Sequence, residues 1–274
     1  NTSCDVKYCQ GKGKIRRKEK TMTVKKIMCP EEKYPLKSPY PMRPTRIVIH
    51  DSGSDASAAG EVMHMLESND EASFHFAADE SGVVQCLPCC RSAWHAGDGG
   101  CGRGNREGIA VVICRSLSGG DNYRNAVRSA ARLCSDLMHE YGISCDRLSK
   151  HQDFSGKYCP HRLIDEYGFD AFRRLVAAQD ISDAQDALDR LSLLGITDSA
   201  SYWRTRYSRV KHLDLLLIRS ARAIIAPGCA CGDVGEALDR LCRAGVVNTR
   251  KYWERHMRRD RFLPLFIKKL GGSV

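Results

Sequence analysis

No apolar run in this sequence approaches the roughly 18 residues that a membrane-spanning helix needs. The longest, Ile109 to Cys114, is six residues, and Leu213 to Ile218 is broken by Asp214, so no span is expected. Asn1 to Lys20 is polar and basic, without the apolar stretch of a signal peptide. A second C-x-x-C step is missing too. Cys86, Cys89, Cys90 and Cys101 contain one such step and no partner at zinc-ribbon spacing. Most of the 14 cysteines are therefore expected to be small buried hydrophobes, with a disulfide or second metal site in that group as the lesser alternative. No nucleic-acid-binding motif is present.

What is there is an ordinary globular composition, 42% apolar and 28% charged over 274 residues, enough for one large domain or a medium domain with appendages. The formal charge of +10 fits a polyanionic partner, either nucleic acid or an anionic cell wall. Cations gather at both ends, from Lys12 to Lys26 and from Arg255 to Arg261; a solvated basic face is the equally weighted alternative.

Residues 1–44 are basic and dotted with proline, and read as an arm. From Arg46 the pattern sharpens. Arg46-Ile47-Val48-Ile49-His50 is a β-branched run that predicts a buried strand ending on a histidine. A helix capped by Asp55 should follow, then a hairpin over Ser73 to Pro88, then a central strand over Ile109 to Cys114. Val127, Ala131, Cys134, Met138 and Tyr141 step by four and three, marking an amphipathic helix that stops before Gly142. Strands mixed with helices give an α/β domain, a mixed central sheet flanked by helices, over residues 45–178.

The last third repeats itself. Asp183, Leu188, Arg190, Leu191, Gly195, Tyr202 and Trp203 recur fifty residues later as Asp233, Leu238, Arg240, Leu241, Gly245, Tyr252 and Trp253. Each copy starts on an Asp cap, runs an apolar stripe to a glycine stop, and continues through a Tyr-Trp pair into a second helix. The expectation is an all-α tandem-repeat region, residues 181–225 and 229–274, joined by Ala226-Pro227-Gly228-Cys229. Two copies of one surface suit avidity on a repetitive polymer; Trp203 and Trp253 themselves read first as core residues.

Three residues form the sharpest candidate site: His50 at a strand end, His151, and Cys159 eight positions later. Two imidazoles and a thiolate leave one position of a tetrahedral zinc open, as catalytic sites do. The stretch Lys150 to His161, with Arg46 to His50, Ser73 to Phe76 and Ala93-Trp94-His95-Ala96-Gly97 in the same order, resembles the zinc-dependent N-acetylmuramoyl-L-alanine amidases of the phage-lysozyme and peptidoglycan-recognition-protein superfamily. The paired C-terminal modules look like helical wall-binding repeats found behind amidase domains in clostridia and their phages.

That resemblance implies hydrolysis of the amide between N-acetylmuramic acid and L-alanine in bacterial peptidoglycan. It implies Zn2+ on His50, His151 and Cys159, Lys157 stabilising the oxyanion, and His75, Phe74, Trp94 and His95 lining the substrate groove. It also implies an endolysin released from the host cytoplasm through a membrane lesion, or a secreted, wall-associated autolysin. One departure stands out. Where the family carries its general-base glutamate, this chain has Val112, and where other branches place a tyrosine it has Phe74. Glu107 is close in sequence, but strand geometry does not by itself bring it to the metal. Two readings follow: a working amidase with weakened base catalysis, or a zinc- and wall-binding pseudoenzyme or inactivated variant.

Overall fold

The computed structural model describes residues 24–181, 183–207, 209–257 and 260–274. Six strands form one sheet: β1 (Val24–Lys26), β2 (Arg46–Asp51), β3 (Phe76–Asp79), β4 (Gly82–Gln85), β5 (Gly108–Ile113) and β6 (Leu148–Lys150). Their order across the sheet is β1-β4-β3-β5-β2-β6. Only β3 and β4, the hairpin, run antiparallel; the other pairs are parallel. Every residue of β5 is buried, as the uninterrupted apolar run requires of a strand covered on both faces.

The early helices are α1 (Tyr34–Lys37), α2 (Ala58–Glu67), α3 (Arg103–Glu107) and α4 (Gly120–Tyr141). One face of the sheet carries Ile47, Ile49, Val111 and Ile113, packed under Tyr123, Val127 and Ala131 of α4. The opposite face carries Ala77 and Val84 against Val62 and Leu66 of α2. Because strand side chains alternate, His50 and Val112 belong to this second face. Gly142 ends α4 at φ 65° in the left-handed region, with its N–H on the Met138 carbonyl.

Two expectations need correction here. Within residues 24–44 the chain is no free arm: β1 extends the sheet beside β4, Cys29 enters the core under α2, and Lys37 is fully buried, with Nζ on the Ala72 carbonyl and Asp70. The earlier cations, Lys12 to Lys20, lie outside the described residues. The cap of α2 is Ser57, whose side chain accepts from the Gly60 N–H, because Asp55 is taken by the backbone N–H and hydroxyl of Ser118.

After β6 come α5 (Gln152–Ser155), α6 (His161–Glu166) and α7 (Phe169–Ala177), then the helical region: α8 (Ala184–Leu193), α9 (Ala200–Arg204), α10 (Leu213–Ala223), α11 (Val234–Arg243), α12 (Arg250–His256) and α13 (Leu263–Ser273). Asp183 and Asp233 cap α8 and α11 with their carboxylates. The repeats do not build two separate cores. One apolar cluster joins Leu188, Trp203 and Leu217 to Leu238, Trp253 and Phe266, and the Trp203 ring stacks on Phe266 with centroids 4.6 Å apart. Trp203→Ala should therefore lower the stability of the whole helical region by about 3–5 kcal/mol, read by urea denaturation; a loss below about 1 kcal/mol would contradict the joint core. No helix among the described residues is long and apolar enough to cross a membrane.

Candidate metal centre

His50 sits near the carboxyl end of β2, and His151 directly follows β6, the strand beside it. The His151 N–H bonds the Ile49 carbonyl at 3.2 Å, so the ladder itself brings the two rings to one edge. Carboxyl ends of parallel strands are the usual place for a ligand in open α/β sheets. The turn through α5 returns the chain, held by the Gln152 N–H on the Cys159 carbonyl at 3.1 Å, and sets Cys159 beside the two histidines. The ligand atoms of all three lie within 4.8 Å of one another, and all three residues are buried.

His50 Nδ1 and His151 Nδ1 are 3.1 Å apart. The tautomer of His50 follows from its other nitrogen. His95 Nε2 lies 3.3 Å from the Gly108 carbonyl, which can only accept, so His95 Nδ1 is bare and accepts from His50 Nε2–H at 3.0 Å. That leaves His50 Nδ1 as a lone pair aimed at His151, an arrangement that calls for a shared proton or a cation. A tetrahedral ion with metal–nitrogen bonds of about 2.0–2.1 Å spaces two nitrogens about 3.3 Å apart, so the residues fit zinc.

The electrostatics agree. Burial pushes His50 well below its ordinary range, helped by His95, His151 and Lys157. Burial likewise lowers His151, with Lys157 adding to it, and takes His95 down to about 3. Neutral imidazole is the ligating form. Burial raises the Cys159 thiol, while the Asp51 backbone N–H bonds its sulfur and opposes the rise; a cation would convert it to thiolate.

The other expected site residues divide. Lys157 is exposed, and its charge acts on His50, His151 and Cys159 together. Trp94 is half-buried with its edge to Tyr40, centroids 6.1 Å apart, and Phe74 is half-buried against the core under α2. His95 stands against His50 and orients it. His75 does not line a groove. It is fully buried, accepting the Ala110 N–H at Nδ1 and donating from Nε2 to the Arg91 carbonyl, so both nitrogens are spent on backbone and burial drops its pKa to about 4. Val112 pairs with His50 across the β2–β5 ladder and shares its face. Glu107 lies at the other end of β5, five residues or about 17 Å away along a strand, bound to Thr45 and Arg103.

Asp51 was not foreseen. Its side chain is wholly buried and accepts from Tyr123 Oη at 2.8 Å and from the Arg162 and Leu163 N–H groups at 2.8 and 3.3 Å. It thereby ties the start of α6, just beyond Cys159, to β2. The only sequence signal was a carboxylate following the strand-end histidine.

Residues 40–162 match the family model described as N-acetylmuramoyl-L-alanine amidase, a stretch that contains His50, Val112, His151 and Cys159. The solved structure of PlyL is 42% identical, with a TM-score of 0.57, over 58% of this chain and 100% of that one. The chain belongs to the N-acetylmuramoyl-L-alanine amidase family. Among curated relatives, the amidase XlyB of Bacillus subtilis (strain 168) is 46% identical over 156 residues, 57% of this chain and 49% of its own length. The amidase CwlA of the same organism is 47% identical over 143 residues, 52% of this chain and 53% of its own. This amidase-family chain thus spans about half the length of the curated relatives it matches.

Proposed function

We propose that the chain is a peptidoglycan hydrolase, an endolysin or autolysin that cleaves the amide between N-acetylmuramic acid and L-alanine, and that its helical repeats hold it on the wall. The convergence of His50, His151 and Cys159 inside an amidase-family fold carries this reading. These three residues would hold zinc, which when bound supplies Lewis-acid polarisation of the scissile carbonyl and activation of water. His95 fixes the His50 tautomer. The Lys157 ammonium, on the solvent side of the ligands, stabilises negative charge developing on the carbonyl oxygen. Trp94 and Phe74 flank the sugar-peptide junction. The products leave as a lactyl carboxylate and a new L-alanine amino group.

A second reading rests on Val112, whose isopropyl group can take no proton: the protein keeps zinc and the wall and turns over little. Purified peptidoglycan separates the two. The hydrolase releases new L-alanine amino termini, loses that activity with a chelator and regains it with added zinc; release that ignores the chelator would remove the metal from the account. Action at the wall, after release through a lesion or after secretion, is part of the same proposal.

A further inference from the structure

The charge of this chain is unevenly placed. Residues 181–274 hold 17 Lys and Arg against ten Asp and Glu, while the remaining 180 residues hold 26 against 23. The helical region therefore carries +7 of the +10.

The repeats meet in a reciprocal fashion. Tyr202 of the first reaches the second, with its ring edge-on to Phe262 at 5.2 Å and its hydroxyl on Asp260. Fifty residues on, Tyr252 reaches back to the first, edge-on to His212 at 5.4 Å with its hydroxyl on the Lys211 carbonyl. His212 and Phe262 are equivalent positions, so a pseudo-twofold axis runs through this seam. Equivalent long side chains lie along it as well. Lys211 and Arg261 are one such pair, both exposed. Arg206 and His256 are another, each stacked over its own tyrosine at 3.7 and 4.1 Å.

Several cations elsewhere on the helical region are matched, Arg204 with Asp189, Arg250 with Asp239 and Glu254, Arg240 with Glu236, while Arg219, Lys251 and Lys268 are scattered and make no ion pair among the described residues. At the seam Asp260 answers Arg206 at 3.7 Å. Arg209, Lys211, Arg255 and Arg261 are exposed and make no ion pair among the described residues; Arg261 lies over the Phe262 ring at 4.6 Å.

We propose that this two-fold seam is a docking surface for a polyanionic, phosphate-bearing wall polymer, gripped by Arg209, Lys211, Arg255 and Arg261. The proposal rests on the wall-hydrolase reading and adds the chemistry of the anchor. A repeating phosphodiester chain presents like charges at regular intervals, which suits a surface whose cations recur about an axis. A neutral glycan would gain nothing from unpaired cations. Such binding releases counterions and so falls steeply with salt, roughly 50-fold between about 50 and 200 mM for about four phosphate contacts on a single-stranded polymer.

The test sediments the full chain with purified walls, before and after hydrofluoric acid has removed their phosphodiester polymers. Wild type should bind intact walls with that salt dependence and bind extracted walls at least tenfold more weakly. A charge-reversed variant, Arg209→Glu with Lys211→Glu, Arg255→Glu and Arg261→Glu, should lose the same factor on intact walls. It should keep its helical circular dichroism and its turnover of soluble muropeptides, since none of the four touches the metal centre. Neutral replacement by alanine should give an intermediate loss. Equal binding to intact and extracted walls overturns the proposal, as does an unaffected variant. Duplex DNA bound as tightly as walls at equal salt overturns it in favour of nucleic acid. Failure of wild type to cleave soluble muropeptides would remove the hydrolase reading alone, since sedimentation does not depend on turnover.

Discussion

His151→Ala is expected to take bound zinc from one ion per chain to nearly none and amidase turnover down by at least about 1000-fold. Removing one of three protein ligands leaves His50 Nδ1 with no ring opposite it, where 3.1 Å now separates the two nitrogens. The loss should also appear as stability. An ion bound to the native state alone at 1000 times its Kd contributes about 4 kcal/mol. For a chain of this size that is a shift of about 8 to 16 °C in Tm. Chelator should produce this shift in wild type and none in His151→Ala. Cys134→Ser provides the contrast, because Cys134 is a buried thiol on the core-facing side of α4 and its replacement should leave zinc at full occupancy. Full occupancy in His151→Ala would mean that the ion sits elsewhere.

The parts of this fold that were legible in the sequence are those whose signal is local. β2 and β5 are β-branched runs bounded by polar residues, and α4 writes a 3.6-residue period ended by a glycine. The clustering of His50, His151 and Cys159 could be read because strand end, histidine and His-x7-Cys stretch fall in a known order. What escaped is set by distant partners. β1 is three residues, two of them lysine, and exists only because β4 offers an edge. Asp55 and Ser57 are both good caps, and the choice is made by Ser118 arriving from 60 residues away. His75 and His95 look alike as groove histidines, yet one is spent on two backbone groups and the other on His50. The repeat was visible as a period, but not that each copy is too small to bury its tryptophan alone and so lends it to a shared core.

Val112→Glu is expected to raise kcat by about 10²- to 10⁴-fold. A general base contributes about 3 to 5 kcal/mol to lowering the barrier at 1.36 kcal/mol per decade, and position 112 is where this fold can supply one. Its Cα is the ladder partner of His50 and its side chain shares that face, so a longer side chain there extends on the side of the sheet that carries the metal centre. The gain should fall on kcat with KM nearly unchanged, because the added carboxylate acts on a proton in flight and not on bound substrate. Val112→Gln is the decisive companion: it matches the glutamate in shape, takes no proton at neutral pH, and should give no gain. The substitution also places a carboxylate where an apolar group is packed, so some stability should be lost, and a lower Tm beside a higher kcat is the expected signature of an active-site charge. If Val112→Glu and wild type release L-alanine amino termini at the same rate, another group already serves as base and the valine is no defect. If wild type releases none and the glutamate restores release, this chain is a wall-binding protein one side chain away from an enzyme.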